Sequence, residues 1–357
     1  MKTFSIPKII FVSIVFAVLA VISILSFHRL SSLFDFRRST ELHSTDFLEE
    51  RERWSRRIDE VGGQQAYEDF KQRYQLSDHK KQHVMIHLFG ILLYEKIGDD
   101  GIGLCDQAFD FGCYHGFLGQ AISEKKEPGF SSLKKFEDEC KKRWGRAWLG
   151  CQHGIGHGIL ASLGEKNLVE ALTLCEPPIL EWLPFGGCPY GVFMEYNLRT
   201  MHNSSTLDFT YRPLDKSGPY APCSWIPERF LESCYFAQPH WWERVFHGDY
   251  LKIGNLCNKI EEELLQVACF RGTGSYTAVN VKHSPREVIA LCRKMPASDA
   301  VMFCLEGAAL VLYMLPQWDE ENIAKSLCND VADNGYNFCA QQITRFVETL
   351  KSMYYSF

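Results

Sequence analysis

The stretch Tyr250-Leu-Lys-Ile-Gly-Asn-Leu-Cys257 recurs along the chain, as Pro285-Arg-Glu-Val-Ile-Ala-Leu-Cys292 and again as Glu321-Asn-Ile-Ala-Lys-Ser-Leu-Cys328. Its apolar residues fall at i, i+3 and i+4, which is the period of an amphipathic helix. Each copy ends on a cysteine, and a second cysteine follows after 11 or 12 residues. The recurrence predicts a series of short helices, each ending at one half of a disulfide.

All 14 cysteines follow this register as seven successive pairs. The spacing within a pair is 8 to 13 residues, and the first members step along the chain by 35, 35, 48, 34, 35 and 36 residues. A fixed period near 35 residues is typical of stacked helical hairpins, so neighbouring cysteines are expected to pair. The predicted disulfides are Cys105–Cys113, Cys140–Cys151, Cys175–Cys188, Cys223–Cys234, Cys257–Cys269, Cys292–Cys304 and Cys328–Cys339.

A glycine stands three residues after most of the second cysteines, as in Cys113-Tyr-His-Gly, Cys151-Gln-His-Gly and Cys269-Phe-Arg-Gly. Glycine weakens a helix by about 1 kcal/mol relative to alanine, so its return indicates that neighbouring helices cross closely there. The alternative is that these helices simply begin later. The expected fold class is all-α: an α-solenoid of disulfide-stapled helical hairpins, with a period of about 35 residues, behind an N-terminal transmembrane helix.

In layout these repeats resemble the secreted, cysteine-rich Sel1-like proteins, a tetratricopeptide-type family of helical-hairpin repeats. The resemblance rests on a disulfide that staples the turn between successive helices, and it covers roughly residues 83–350. Cys105 and Cys113 share that family's eight-residue spacing. The resemblance implies the architecture and a binding role, and it transfers no catalytic residue.

The N-terminal residues differ from the rest of the chain. Residues 9–27 carry no charge, and about 20 helical residues span the hydrocarbon core of a bilayer. No small-residue cleavage site follows, so we predict a signal anchor, with a cleaved signal peptide as the alternative. The predicted organisation is a cytoplasmic N-terminus (1–8), a single-pass transmembrane anchor (9–27), a stalk or linker (28–62) and an extracytoplasmic repeat domain (63–357) with an insertion at 197–222.

The cysteines predict that the body of the chain lies outside the cytosol, because disulfides persist in oxidising compartments. No two cysteines have C-x-x-C spacing, which excludes zinc ribbons, thioredoxin-like motifs and C-x-x-C-H haem attachment. The body is therefore expected in the periplasm, a secretory lumen or the cell exterior. The net charge of −6 is spread without a basic stripe, so no nucleic-acid partner is expected.

Five histidines form the sharpest chemical pattern. His83 and His87 are four residues apart, as are His153 and His157, and His115 lies between the pairs. Alignment of the repeats puts His115 level with His153, and we expect the first pair to match the second. Neutral imidazoles at i and i+4 are ligands for Zn, Cu, Fe or Ni, so the pattern predicts a transition-metal or haem site on one exposed patch. The alternative is a set of hydrogen-bonding or rim histidines, and the glutamate of an H-E-x-x-H protease motif is absent from both pairs.

A variable and mostly polar position stands two residues after each second cysteine, which suggests the concave side of a solenoid. Large aromatic residues also gather after the insertion, and one of two adjacent tryptophans is expected to face outwards. The alternatives are core packing for the aromatics and a surface salt bridge for the Arg–Glu pair. The candidate partner-binding residues are Tyr190, Phe236, Trp241, Trp242, Arg271 and Glu306.

The chain has no G-x-S-x-G nucleophile motif, and the expected pairing leaves no cysteine as a nucleophile. We therefore expect no catalytic residues. The preferred function is that of a membrane-anchored extracytoplasmic binding or scaffold protein, which presents a rigid surface to a protein, peptide or glycan. The alternative function is metal or haem binding, catalytic or not, centred on the five histidines.

Overall fold

A computed structural model describes residues 44–124, 129–177, 186–199, 211–214, 216–329 and 333–355. Within these ranges the chain forms α-helices and turns and no strand, which confirms the all-α prediction. The helices are α1 (Ser44–Val61), α2 (Gly63–Tyr74), α3 (His79–Ile97), α4 (Gly112–Ser123), α5 (Phe130–Trp144), α6 (Trp148–Leu163), α7 (Leu168–Thr173), α8 (Gly187–Leu198), α9 (Leu231–Val245), α10 (Tyr250–Asn258), α11 (Glu263–Asn280), α12 (Pro285–Cys292), α13 (Ser298–Met314), α14 (Glu320–Cys328) and α15 (Asp333–Tyr355).

The predicted anchor at 9–27 lies outside the described residues, together with residues 1–8. None of the described helices is long and apolar enough to cross a membrane. The chain divides into two units, residues 1–49 and 50–357, and the repeats belong to the second. Part of the predicted stalk belongs to that unit, because the Trp54 ring is buried against Phe70 and Phe89 at centroid distances of 5.0 and 5.8 Å.

Each repeat contributes one long buried helix, and these inner helices pack in chain order, each against the next. The second cysteine of every pair lies in an inner helix. In most repeats an outer helix contains or directly precedes the first cysteine of the pair, and Asp249 and Asp319 cap two of these helices by accepting a backbone N–H. The inner helices are α3, α4, α6, α8, α9, α11, α13 and α15, and the outer helices are α5, α7, α10, α12 and α14.

The seven predicted disulfides are confirmed, each joining the two members of one pair. Their Cα–Cα distances are 5.4 to 5.8 Å, within the usual range for a disulfide. Each bridge ties the inner helix of a repeat to the segment just before it. In the chain-entropy model, closing a loop of about 12 residues stabilises a repeat by roughly 3 kcal/mol.

The predicted close crossing of inner helices is also confirmed. A Cβ atom placed on Gly272 would collide with the backbone carbonyl of Phe236 on the preceding inner helix. Gly307 meets the carbonyl of Arg271 in the same way, and Gly191 meets that of His153. Only glycine permits this approach, because the obstacle is backbone and cannot turn aside.

These crossings fix the register of the cysteine-free helix α3. Gly116 of α4 meets the carbonyl of His87, as Gly191 of α8 meets the carbonyl of His153. His87 is therefore the structural equivalent of His153, and His83 lies one helical turn before that position. The expectation that His83 matches His153 and His87 matches His157 is wrong by one turn.

Repeats distant in sequence also contact each other. The imidazole Nε2 of His283, after α11, lies 3.0 Å from a carboxylate oxygen of Asp110, before α4. The turn Gly145–Ala147 between α5 and α6 contacts both α13 and α15. A simple open array has contacts between neighbouring repeats only, so this domain departs from that arrangement: early and late repeats also contact one another.

The expectation that one of two tryptophans faces outwards is wrong. The Trp241 and Trp242 side chains are both fully buried. Residues of the 197–222 insertion cover them, and the indole N–H groups donate to the carbonyls of Arg212 and Pro219 at 2.6 and 2.7 Å. The Arg212 guanidinium lies 3.8 Å from the Trp241 ring centroid. Arg212 and Pro219 of the insertion therefore complete the core at this place.

Candidate metal centre

Three successive inner helices carry the five histidines. His83 and His87 lie on α3, His115 on α4, and His153 and His157 on α6. Close crossing at Gly116 brings the α4 backbone onto α3, and Gly112 lies against the rings of the first pair. A Cβ atom there would lie 3.3 Å from His83 Nδ1 and 3.2 Å from His87 Cδ2. The small residues of α4 therefore make the space in which the imidazoles meet.

The first group consists of His83, His87 and His115. Nε2 of His87 lies 3.1 Å from Nε2 of His83 and 3.2 Å from Nδ1 of His115. The three ligand atoms lie within 4.8 Å of one another, close enough to hold one metal ion. A tetrahedral ion with metal–nitrogen bonds of about 2.0–2.1 Å holds its nitrogens roughly 3.3 Å apart, so only small shifts are needed.

The second group consists of His115, His153 and His157, and it too has its ligand atoms within 4.8 Å of one another. Nε2 of His157 lies 3.0 Å from Nε2 of His153. The His115 ring centroid is 4.7 Å from that of His153 and 5.2 Å from that of His157. His115 therefore belongs to both groups.

One histidine of each pair is oriented from outside the cluster. Nδ1 of His83 lies 3.0 Å from the carbonyl oxygen of Phe109, and Nδ1 of His157 lies 2.9 Å from a carboxylate oxygen of Glu195. Such a bond holds the ring proton on Nδ1 and leaves the Nε2 lone pair facing inwards. Metal-binding histidines in proteins have this arrangement, with a carbonyl or carboxylate on the outer nitrogen.

The backbone that supplies the Phe109 carbonyl has an unusual conformation. Phe109, Asp110 and Phe111 all have positive φ angles, of 51°, 57° and 61°. Non-glycine residues rarely adopt this left-handed region, and its occurrence is concentrated at functional sites. Here it places the carbonyl of Phe109 against His83 and the carboxylate of Asp110 against His283.

The cluster is buried, which corrects the expectation of an exposed patch. His87, His115, His153 and His157 are all buried, and His83 is half-buried. Burial, together with the neighbouring imidazoles, lowers the pKa of His87, His115 and His153 well below 6.5. These rings are therefore neutral at pH 7, which is the form that binds metal.

The remaining candidate residues continue the same face along the domain. The Tyr190 ring packs at 4.8 Å from His153 and 5.5 Å from Phe236. Further along, the Arg271 guanidinium bonds a Glu306 carboxylate oxygen at 2.8 Å. Phe236 and Glu306 are buried, and Tyr190 and Arg271 are half-buried. This face lies inside the domain, so its predicted role as an open concave surface is not favoured.

Two side chains near the cluster were missed in the sequence. Glu195 lies five residues beyond Tyr190, about one turn along α8, and nothing local marks it. His240 lies four residues beyond Phe236, as His157 lies four beyond His153, so the repeat alignment could have found it. His240 is buried and stacks on Tyr276 at 4.2 Å, and burial and then Arg244 lower its pKa well below 6.5.

Comparison with known proteins gives a plain result. No protein-family model matches the chain. No curated protein and no solved structure matches it either.

Proposed function

We propose that this protein binds a transition metal in a buried centre made only of histidines, His83, His87, His115, His153 and His157. The observation that carries the proposal is the orientation of the two outer rings. The Nδ1–H groups of His83 and His157 each donate a hydrogen bond to an oxygen outside the cluster. Both rings therefore present Nε2 to the other imidazoles. That arrangement orients a metal ligand and raises its basicity.

The alternative is a set of imidazoles that only hydrogen-bond one another. The rest of the domain argues against a structural need for histidine here. At the equivalent crossing of α9 and α11, Phe236 occupies the position of His87 and His153, and the glycine contact is unchanged. At the crossing of α11 and α13, Arg271 occupies it. Because the crossing forms without histidine, the chemistry of the imidazoles explains their presence better.

The donor set limits the kind of metal. Neutral imidazole nitrogens suit Zn, Cu, Fe and Ni, whereas Mg and Ca prefer oxygen. A haem is less well supported, because nitrogens 3.0 and 3.1 Å apart leave no space for a porphyrin between the paired rings. The proposal is therefore a site for a first-row transition-metal ion.

Replacing His153 and His157 together with alanine should lower the amount of metal bound per chain, because it removes two of the five ligands and all but one ligand of the second group. The measurement is elemental analysis of untagged protein reloaded with Zn²⁺ or Cu²⁺, alongside the helical signal in circular dichroism. His247→Ala is the matched control, since His247 is exposed and outside the cluster. The proposal would be refuted if the wild-type protein took up no more metal than a variant in which all five cluster histidines are replaced.

We also propose that residues 9–27 anchor the chain and that the disulfide-stapled helical array works outside the cytosol as a scaffold. Seven disulfides fit an oxidising extracytoplasmic compartment. A partner surface is supported by exposed apolar side chains in and after the insertion, with Tyr211 44%, Leu214 47% and Trp225 52% exposed. Large aromatic side chains are common anchors in protein interfaces. The Sel1-like resemblance implies the same class of function, for a protein, peptide or glycan partner.

Membranes from cells that express the full chain test both parts of this second proposal. After a carbonate wash the chain should stay in the pellet with its first 30 or so residues attached, because the apolar run is about as long as a membrane span.

A photo-cross-linker at Trp225 should give a product that the same group at exposed Leu251 does not. A soluble chain beginning between residues 25 and 45 would refute the anchor, and identical cross-linking at both positions would refute the partner surface.

A further inference from the structure

We infer that the histidine cluster is a binuclear centre, in which the His115 ring bridges two transition-metal ions. One ion is held by His83 and His87, and the other by His153 and His157. This inference rests on the metal binding proposed above and adds the number of ions, their ligands and the role of His115.

The position of His115 is the first observation. Its ring centroid lies 5.4 and 5.2 Å from those of His83 and His87, and 4.7 and 5.2 Å from those of His153 and His157. It therefore stands between the two pairs at nearly equal distances. An imidazole ring has two nitrogens, and each can hold a metal ion once its proton is removed.

The grouping of the ligand atoms is the second observation. They form two sets of three, each with its atoms within 4.8 Å of one another, and only His115 is common to both. Five nitrogens on one ion would all lie within about 4.2 Å of each other, since that is twice a metal–nitrogen bond. The two pairs instead form separate chelates, and each pair has its own orienting oxygen, from Phe109 or from Glu195.

The protons of the cluster are consistent with two ions. The Nδ1 protons of His83 and His157 remain on Nδ1, hydrogen-bonded to Phe109 and Glu195. Neither ring therefore has to lose a proton to bind metal through Nε2. His115 must lose its single ring proton before both of its nitrogens can bind metal. That proton passes to solvent when the second ion enters, and no oxidant or reductant takes part.

The experiment is a titration of metal-stripped, untagged full-length protein with Zn²⁺, followed by elemental analysis after gel filtration. Wild-type protein should bind two ions per chain. His83→Gln and His157→Gln should each keep one ion at wild-type affinity and bind the other about 10-fold or more weakly, so that one ion remains after gel filtration, because each removes a ligand from one chelate only. His115→Gln should lower the affinity for both ions by about 10-fold or more, since both lose a ligand.

Loading with Cu²⁺ gives an independent readout. Two copper(II) ions joined through one imidazole ring couple magnetically, so the doubly loaded wild-type protein should show less than the full paramagnetic resonance signal. His83→Gln should restore the full signal of its single ion. His83 is half-buried and lies at the edge of the cluster, so this variant is expected to fold.

Each outcome separates the inference from the proposed function. One ion in the wild-type protein, lost in every variant, would overturn the binuclear centre and leave metal binding in place. Two ions that His115→Gln leaves unaffected would overturn the bridge. No bound ion at all would overturn both.

Discussion

A variant carrying both Gly272→Ala and Gly307→Ala is expected to lose about 3 kcal/mol or more of unfolding free energy, the sum of two overpacked crossings. Each new methyl group would collide with a backbone carbonyl of the preceding inner helix, that of Phe236 or of Arg271. Overpacking costs about 1–3 kcal/mol even where side chains can yield, and here only backbone can move. The higher helix propensity of alanine returns about 1 kcal/mol per site and does not offset the collisions.

Gly254→Ala is the matched control for this variant. Gly254 also lies within a helix, but its new methyl group would meet the flexible Met295 side chain and the Pro296 ring at 3.1 Å. We expect its stability to stay within about 1 kcal/mol of the wild type. The measurement is denaturant unfolding with the disulfides intact. Equal stabilities for the double variant and the control would show that the helices do not cross as closely as described.

The repeat and its disulfides could be predicted because each signal is local. The cysteine at the end of one helix and the cysteine in the next are separated by 8 to 13 residues, so geometry leaves few other pairings. The glycine three residues after the second cysteine could also be interpreted, since its cost to a helix needs a compensating contact. These features depend only on one repeat and its neighbour, so the local sequence is enough to predict them.

The register of the histidines could not be taken from the cysteines, because α3 has none. The information was present in a different residue. Gly90, three residues after His87, meets the carbonyl of Cys113, as Gly156 meets that of Cys188. Alignment on this second set of glycines places His87 level with His153. A glycine at a helix crossing therefore fixes the register between two repeats as well as a disulfide does.

The burial of the cluster and of the tryptophans depends on tertiary structure that no single repeat specifies. His283 reaches Asp110 from a repeat distant in sequence, a contact that neither repeat encodes alone. Likewise, the carbonyls of Arg212 and Pro219 reach Trp241 and Trp242 because these residues of the insertion lie against α9. The mostly polar position two residues after each second cysteine therefore predicted an exposed surface, whereas in the structure it lies inside the domain.

Acid should destabilise the metal-free protein steeply, starting near pH 6.5. Burial lowers the pKa of His87, His115, His153 and His240 well below 6.5, whereas in the unfolded chain these rings titrate near that value. As the pH falls below 6.5, the unfolded state takes up protons that the native state refuses. Unfolding is thereby favoured by up to about 1.4 kcal/mol per histidine for each pH unit, until the native pKa values are reached.

Two carboxyl groups, one buried and one half-buried, act in the opposite sense. Burial raises the pKa of Glu232 and of Glu306, so the native state binds their protons more readily than the unfolded state does. Their stabilising effect is full below the unfolded value of about 4.5 and is lost as the pH rises through the raised value. It can soften the acid end of the curve, and it does not change the direction of the fall that begins near pH 6.5.

The same titrations change the expected pH dependence of metal binding. A site of ordinary, exposed histidines loses affinity as the pH falls through about 6.5, because a protonated imidazole cannot bind metal. Here the pKa values of His87, His115 and His153 are already well below 6.5, so protons compete with the metal only in more acidic solution. The bound metal should in turn stabilise the fold where the metal-free protein is weakest, since it binds only the native arrangement.

Denaturant unfolding of EDTA-treated protein between pH 7.5 and 5 measures the acid effect. His240→Gln should reduce the slope of unfolding free energy against pH by the share of one histidine, whatever it does to stability at pH 7.5. Leu251→Gln should leave the slope unchanged, because Leu251 is exposed and neither side chain titrates. A wild-type curve that stays flat from pH 7 to 5.5 would mean that the buried imidazoles take up protons as freely as unfolded ones. The cluster would then be open to water, and the case for a dry, neutral, metal-binding set of imidazoles would fail with it.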